Sequence, residues 1–181
     1  MLKRIAALIL IGLMFTLQGC VSTAGGGLRS FADQYGGYEF MYPTGWTQVE
    51  VPGVADVVFH DIVNDTENVS VVTSDVPEGT SLEDLGSPTE VGYKLSKGIN
   101  AAADDDRDVE LISAQRIDTP DSKTYYILEY IANLPTGVRH NLASVIVRRG
   151  KLFTFNASTR EERWEKIKDL MKQSVASFNV Y

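Results

Sequence analysis

The chain has a single cysteine, Cys20, which stands at the end of an apolar segment near the N-terminus. Lys3 and Arg4 precede an apolar run over residues 5–17, and Gln18 and Gly19 separate this run from the cysteine. One cysteine cannot form an intramolecular disulfide, so any fold that follows must be stabilised by packing alone. This is the strongest constraint on what the chain can form.

The segment around Cys20 is typical of a bacterial lipoprotein signal. Its apolar run is shorter than the roughly 20 residues that a membrane-spanning helix needs, and its basic start is typical of a signal peptide. We therefore predict that residues 1–19 are removed and that Cys20 is lipidated. The alternatives are an ordinary secretory peptide or a membrane-spanning helix. Because stable anchoring takes two acyl chains or one chain plus a second signal, a multiply acylated Cys20 holds the protein at a membrane by itself.

Size and charge restrict the domain count and the partners. Removal of residues 1–19 leaves about 160 residues, which is the size of one ordinary domain with a substantial core. The chain has 24 acidic and 17 basic side chains and a formal net charge of −7. This excess of negative charge argues against nucleic acid and against bare anionic membrane as partners.

The sequence divides into a tether and a domain. Residues 20–34 are small and polar, with three consecutive glycines at 25–27, and they predict a flexible tether after the lipidated cysteine. A Gly-rich coil of about 14 residues has a root-mean-square reach of roughly 20 Å. Residues 35–181 are predicted to form one domain.

Alternating apolar residues separated by turn residues predict a β-sheet in this domain. The predicted strands are residues 38–42, 56–63, 68–74, 109–117, 123–133, 139–149 and 151–158. Their short connections favour antiparallel pairing. In residues 123–133 and 142–147 both alternating faces are largely apolar, which indicates a sheet that is covered on both sides.

Two segments with helical spacing supply this cover. Ser87 and Glu90 form a capping box around Pro88, which predicts a helix over residues 88–102 with Val91, Leu95 and Ile99 on one face. Residues 159–162 form a second capping box. The apolar residues that follow at helical spacing are Trp164, Ile167, Met171, Val175 and Phe178. The predicted fold class is α+β, as a three-layer α/β/α sandwich around a mainly antiparallel sheet.

Several segments resemble the PsbP family. They are residues 38–46 (YEFMYPTGW), 56–61 (DVVFHD), 67–71 (ENVSV), 82–95 (LEDLGSPTEVGYKL) and 139–164 (RHNLASVIVRRGKLFTFNASTREERW). The resemblance covers nearly all of the chain from about Tyr35 onward, and residues 84–93 are its most specific part. With its predicted lipid anchor, the chain is similar to the cyanobacterial lipoprotein form of the family.

The resemblance implies a binding subunit rather than an enzyme. PsbP proteins are extrinsic or assembly-associated proteins of photosystem II in the thylakoid lumen. The chain is therefore expected on the lumenal side of the thylakoid membrane, held by its lipid anchor. It is expected to bind photosystem II core subunits or assembly intermediates as a monomer, and to aid the assembly or stability of the oxygen-evolving complex. Plant members use an extended N-terminal segment for ion retention. In this chain only the predicted tether, residues 21–34, occupies the position of that segment, so a direct ion-retention role is not expected.

The resemblance also suggests a metal site. His140 matches a histidine that binds metal ions in the family, and Glu161 falls where plant members often carry an aspartate. This pair suits a weak surface site for Zn²⁺, Mn²⁺ or Ca²⁺, with no obligatory cofactor. The alternative is that His140 packs at a strand while Glu161 stabilises a helix N-terminus. His60 and Asp61 are a less favoured pair, because neighbouring side chains in a strand point to opposite faces.

A local excess of basic residues is the predicted docking patch. Arg148, Arg149 and Lys151 surround a predicted turn, and Arg139 begins the same hairpin. A solvated turn without a partner is the alternative. Tryptophan is enriched in binding hot spots, yet Trp46 and Trp164 are predicted to belong to the core, since Trp164 lies on the apolar helix face.

Two other function classes remain open. The sequence has no Gly-x-Ser-x-Gly nucleophile motif, no His-Glu-x-x-His zinc motif and no phosphate-binding glycine loop. An extracytoplasmic hydrolase would have to combine His60 or His140 with a distant serine. A small-ligand carrier would require a cavity beside the sheet.

Overall fold

The computed structural model describes residues 27–101 and 107–181. The predicted signal peptide, Cys20 and the first part of the predicted tether lie outside the described residues. The strands are β1 (Leu28–Asp33), β2 (Tyr38–Pro43), β3 (Thr47–Val49), β4 (Val57–His60), β5 (Asn68–Asp75), β6 (Asp108–Asp118), β7 (Thr124–Leu134), β8 (Gly137–Arg148), β9 (Lys151–Arg160) and β10 (Asn179–Val180). The helices are α1 (Pro88–Ala101) and α2 (Glu161–Ala176), and Glu83–Leu85 forms one 3-10 turn.

The strands build two antiparallel sheets. The larger has seven strands in the order β3-β4-β5-β9-β8-β7-β6, and the smaller has three in the order β1-β2-β10. Strands β6 to β9 form one half of the larger sheet, and each pairs with the next strand along the chain in a hairpin. The turn between β8 and β9 consists of Arg149 and Gly150, both with positive φ, which is the backbone that a two-residue hairpin requires.

The larger sheet is covered on both faces, as its sequence pattern predicts. On β7, Tyr125 contributes to the core on one face, whereas Tyr126 and Leu128 contribute to the core on the other. The first core lies between the larger sheet, α2 and the smaller sheet, and it is rich in aromatic pairs such as Phe40–Phe155, whose ring centroids are 4.6 Å apart. The second core lies under α1. The α+β class and the placement of a helix on each face are thus confirmed, and the smaller sheet shares a layer with α2.

The two helices begin in different ways. At α1 the predicted capping box is present: the Ser87 amide and hydroxyl both donate to Glu90 Oε2, at 2.8 and 2.7 Å. At α2 the predicted cap is wrong, because the N-cap is Arg160 and its side chain makes no capping bond. The Thr159 hydroxyl instead donates to Glu67 Oε1 at 3.1 Å, so the buried Glu67 carboxylate competes successfully for it.

The N-terminal boundary of the domain differs from the prediction. The predicted tether reached residue 34, whereas Leu28–Asp33 forms β1 and pairs along the whole of β2. The strand has only two partly buried apolar residues, Leu28 and Phe31. It forms because β2 offers it an open edge, which composition alone does not reveal.

Candidate functional site

His140 is the centre of the predicted metal site, and it is buried. Its ring is stacked on Trp164, with 3.7 Å between ring centroids and 9° between planes. Nδ1 lies 2.7 Å from Glu161 Oε2, and Nε2 lies 2.7 Å from Glu129 Oε1. The side chain comes from β8, its carboxylate partners come from α2 and β7, and the whole residue is 5% exposed. The structure therefore brings His140 and Glu161 together, and adds Glu129, for which no sequence pattern pointed to a site.

The cluster combines the imidazole of His140 with two carboxylate groups. A neutral imidazole donates one hydrogen bond, whereas ionised carboxylates only accept. Two contacts of 2.7 Å to carboxylate oxygens therefore require a doubly protonated ring or one protonated carboxyl group. Such charge-assisted contacts are strong, and the Trp164 ring excludes water from one face of the imidazole. The cluster fastens the first turn of α2 to β7 and β8.

The same geometry fits a metal ion poorly. Zinc sites are usually tetrahedral, with ligand distances near 2.0–2.2 Å for nitrogen and oxygen donors. Both ring nitrogens of His140 already touch carboxylates, so a metal ion would have to displace a hydrogen bond. In the part of the chain that the structure describes, no group of three or more His, Cys, Asp or Glu side chains is arranged to hold a metal ion. The arrangement resembles the structural alternative stated for His140 and Glu161.

Among the described residues, no hydrogen bond or ion pair joins the second predicted pair, His60 and Asp61. His60 ends β4, while the Asp61 carboxylate turns back to accept hydrogen bonds from the Val63 amide at 2.8 Å and the Asn64 side chain at 3.1 Å. Burial opposes ionisation of Asp61, but these hydrogen bonds outweigh it and lower its pKa. Asp61 therefore serves to shape the loop between β4 and β5.

The four predicted docking residues separate into two places. Arg148, Arg149 and Lys151 meet at the β8–β9 turn, and we call residues 148–151 the basic turn. Arg139 lies about nine residues back along β8, or about 30 Å for an extended strand. Its guanidinium donates to Ser158 Oγ at 2.8 and 3.0 Å and to the Thr66 carbonyl, and burial lowers its pKa. Arg139 is thus a structural residue away from the patch.

Within the basic turn the three side chains have different roles. Arg149 donates to the Gly36 and Gly37 carbonyls at 2.8 and 3.3 Å, and its guanidinium lies 5.7 Å from the Phe153 ring centroid. It fastens the β1–β2 turn to the β8–β9 turn. Lys151 contacts Asp75 at 2.9 Å and remains exposed. Arg148 is exposed and presents its charge to solvent.

Features that sequence reasoning missed lie beside the basic turn. Tyr35, at the tip of the β1–β2 turn, is fully exposed. An open groove of about 820 Å³ runs between the basic turn and the chain after β5, and residues Val76, Glu78 and Ser81 line it. Only the fold reveals this neighbourhood, since the three segments are distant in sequence.

The two tryptophans belong to the first core. Trp164 is buried there as predicted, and Trp46 is partly buried against the same core.

The hydrolase alternative requires a histidine paired with a serine. In the described ranges neither His60 nor His140 is hydrogen-bonded to a serine. No helix among the described residues is both long enough and apolar enough to cross a membrane.

A cavity of the kind that a small-ligand carrier needs lies beside α1. It has a volume of about 390 Å³ and lies between α1 and the face of the larger sheet that α1 covers. Leu95 and Ile99 of α1 form one wall, and Val72, Leu152 and Ala143 contribute to the other. The volume lies within the range of small-molecule sites, and the lining is mainly apolar.

Comparisons with known proteins agree with the resemblance seen in the sequence. Residues 26–180 match the profile of the PsbP family. CyanoP of Thermosynechococcus vestitus is 48% identical over 186 residues, covering 100% of both chains. PsbP-like protein 1, chloroplastic, of Arabidopsis thaliana is 32% identical over 154 residues, covering 85% of this chain and 65% of the relative. The solution structure of CyanoP from Synechocystis sp. PCC 6803 superposes with a TM-score of 0.75 at 44% identity, covering 92% of this chain and 99% of that one.

Proposed function

The chain belongs to the PsbP family, and from this premise we propose that it is a lipid-anchored accessory protein of photosystem II on the lumenal side of the thylakoid membrane. It binds photosystem II core subunits or assembly intermediates and aids the assembly or stability of the oxygen-evolving complex. The observation that carries the proposal is the match to CyanoP over the whole length of both chains, which includes the segment around Cys20. The role is non-enzymatic, in keeping with the family.

We place the partner-binding surface at the basic turn. The protein as a whole is acidic, whereas the basic turn combines the exposed Arg148 with Lys151, which is paired with Asp75, and this local basic site suits an acidic partner surface. The exposed Tyr35 ring lies on the neighbouring turn, which Arg149 holds in place. Tyrosine and arginine are among the residues enriched in binding hot spots, and the adjoining groove offers a recess for a partner side chain.

The test is recovery of photosystem II by the tagged, lipidated protein from solubilised thylakoids, with the bound proteins identified by mass spectrometry. We expect wild type to recover photosystem II core subunits, and the double variant Arg148→Glu/Lys151→Glu to lose them. Arg149 is left unchanged because it also holds the fold. Lys97→Glu/Lys166→Glu is the matched control, because both lysines are exposed on the helices and the net charge changes equally.

The salt dependence of this recovery separates specific docking from general charge. Wild-type binding should weaken as ionic strength rises, and binding by the Arg148/Lys151 variant should be low and insensitive to salt. Equal recovery by both double variants at every ionic strength would remove the basic turn from the interface. Recovery of wild type without any photosystem II subunit would refute the proposed function itself.

The cavity beside α1 supports a second candidate function, which is the binding of a small apolar ligand. Its volume and its mainly apolar lining are the specific observations in favour. Native mass spectrometry of protein purified from thylakoids tests this, because a retained ligand adds a defined mass. A spectrum of the bare protein alone would count against a carrier role and leave the docking proposal unaffected.

A further inference from the structure

The end of the domain opposite the basic turn is where the chain continues toward Cys20. The Thr44 amide donates to the Gly27 carbonyl at 2.8 Å, so the first described residue lies beside the β2–β3 turn. Thr47 of β3 pairs with His60, which precedes the β4–β5 loop. The loop is tied in turn to the start of β8, because the Asp61 amide donates to Glu67 and Arg139 donates to Thr66. We call this end of the domain the anchor end.

The anchor end carries an exposed apolar tip. Ile62 and Val63, in the β4–β5 loop, are 68% and 87% exposed. Hydrogen bonds hold the loop in this shape. The Asp61 carboxylate accepts hydrogen bonds from the Val63 amide and from the Asn64 side chain, and both apolar side chains face outward. Val138 in the neighbouring β7–β8 hairpin is also exposed. Contiguous exposed apolar surface is a feature of protein and membrane contact sites.

The short connection to Cys20 limits how far this tip can lie from a membrane. About seven residues separate Cys20 from Gly27, and a fully extended chain spans at most about 3.5 Å per residue, or about 25 Å. As a flexible coil the same segment has a root-mean-square reach of roughly 15 Å. The anchor end must therefore stay next to the bilayer to which Cys20 is attached.

We propose that the apolar tip of Ile62 and Val63 contacts the lipid surface that holds Cys20. This inference rests on the lipidation of Cys20 proposed above. The tip penetrates the headgroup region and orients the domain, so that the basic turn points away from the membrane. Because Asp61 and the exposed Asp65 flank the tip, the contact is apolar in origin and suits a neutral lipid surface.

The chain is well suited to a site-specific test, since its only natural cysteine is used by the lipid. The lipidated full-length protein would carry Val63→Cys, labelled with the environment-sensitive dye NBD, on phosphatidylcholine vesicles that contain a brominated phosphatidylcholine. Val54→Cys is the matched control. Val54 is equally a valine in an exposed loop, but it lies two residues from Asp56, which lines a cavity with Arg149 and Lys151 near the basic turn.

We expect the dye at position 63 to show a blue-shifted emission that brominated lipid quenches, and the dye at position 54 to show neither. Adding Ile62→Asp to the Val63→Cys protein should return the emission toward that in water. Water-like emission at both positions, with protein that floats with the vesicles, would overturn the lipid contact and leave the anchor intact. Equal quenching at both positions would also overturn it, since the domain would have no preferred orientation. Failure to float would refute the anchor and the inference together.

Discussion

Removal of the Arg163 side chain should destabilise the domain strongly, because it leaves a buried carboxylate without the guanidinium that contacts it directly. Glu67 is 2% exposed, and its carboxylate is contacted by the Arg163 guanidinium and accepts a hydrogen bond from the Thr159 hydroxyl at 3.1 Å. The hydrogen bond to Glu67 raises the pKa of Arg163. The pair joins α2 to the start of β5, which are far apart in sequence.

The expected magnitude follows from burial. Removing one partner of a buried ion pair costs about 3–5 kcal/mol. The Arg163 side chain is 30% exposed, so water reaches the vacated site in part, and we expect a loss of about 2–3 kcal/mol in the free energy of unfolding for Arg163→Ala. For a domain of this size that corresponds to a fall in Tm of about 5–10 °C.

Urea denaturation and thermal melts measure this loss, and the same helix supplies the control. Lys168 contacts Glu165 at 2.6 Å in a solvent-exposed pair, so Lys168→Ala should cost far less than Arg163→Ala. In a Glu67→Gln background the cost of Arg163→Ala should largely disappear, since no buried charge is left unpaired. If the two substitutions were additive, or if Arg163→Ala cost no more than Lys168→Ala, the argument from the buried pair would be refuted.

Three further predictions have definite expected outcomes, the first with a matched control. Gly92→Ala should destabilise by up to about 2 kcal/mol in urea titrations, because its Cβ would lie 2.7 Å from Leu111 Cδ2. The matched Gly98→Ala, with nothing within 4 Å, should stabilise by about 0.5–1 kcal/mol, and a gain at both positions would contradict the packing argument. The hydrogen bond from Lys123 lowers the pKa of Asp121 to about 2. The stabilisation by this carboxylate is therefore present above the ordinary carboxyl pKa of about 3.9 and is lost as the pH falls toward 2. In melts across this range, Asp121→Asn should be less stable than wild type at neutral pH and should converge with it in acid; a constant difference would contradict this. Chelation with EDTA should leave Tm unchanged, because the buried histidine is held by carboxylates, and a fall in Tm would reveal a structural metal ion.

Much of the fold follows from patterns that act locally. The alternation in residues 123–133 places Tyr125 and Tyr126 in opposite cores, and the capping box at Ser87 and Glu90 starts α1 where it predicts. These signals succeed because side-chain direction in a strand and amide satisfaction at a helix start depend on a few neighbouring residues. Strand order needs contacts between distant segments, and neither alternation nor capping encodes them.

The errors have the same physical origin. The segment of β1 looks like tether because it is polar and small, and it becomes a strand only through pairing with β2. Thr159 resembles a helix cap, yet Glu67, more than 90 residues earlier, takes its hydroxyl. Glu67 itself carried no signal in the sequence, since an isolated glutamate in a polar stretch is normally exposed. The separation of Arg139 from the basic turn, in contrast, was implicit in the length of an extended strand.

The correction at β1 changes how the two proposed contacts relate to each other. A tether that ended at residue 34 would leave the domain free to turn, because 14 flexible residues reach roughly 20 Å. With β1 fixed in the smaller sheet, about seven residues remain, and the chain leaves the domain at the anchor end beside Thr44. Strand β8 then acts as a rigid spacer of about 30 Å between that end and the basic turn. If Cys20 is lipidated as proposed, the proposed docking surface at the basic turn lies at a defined height above the lipid, about the length of β8, rather than against the bilayer.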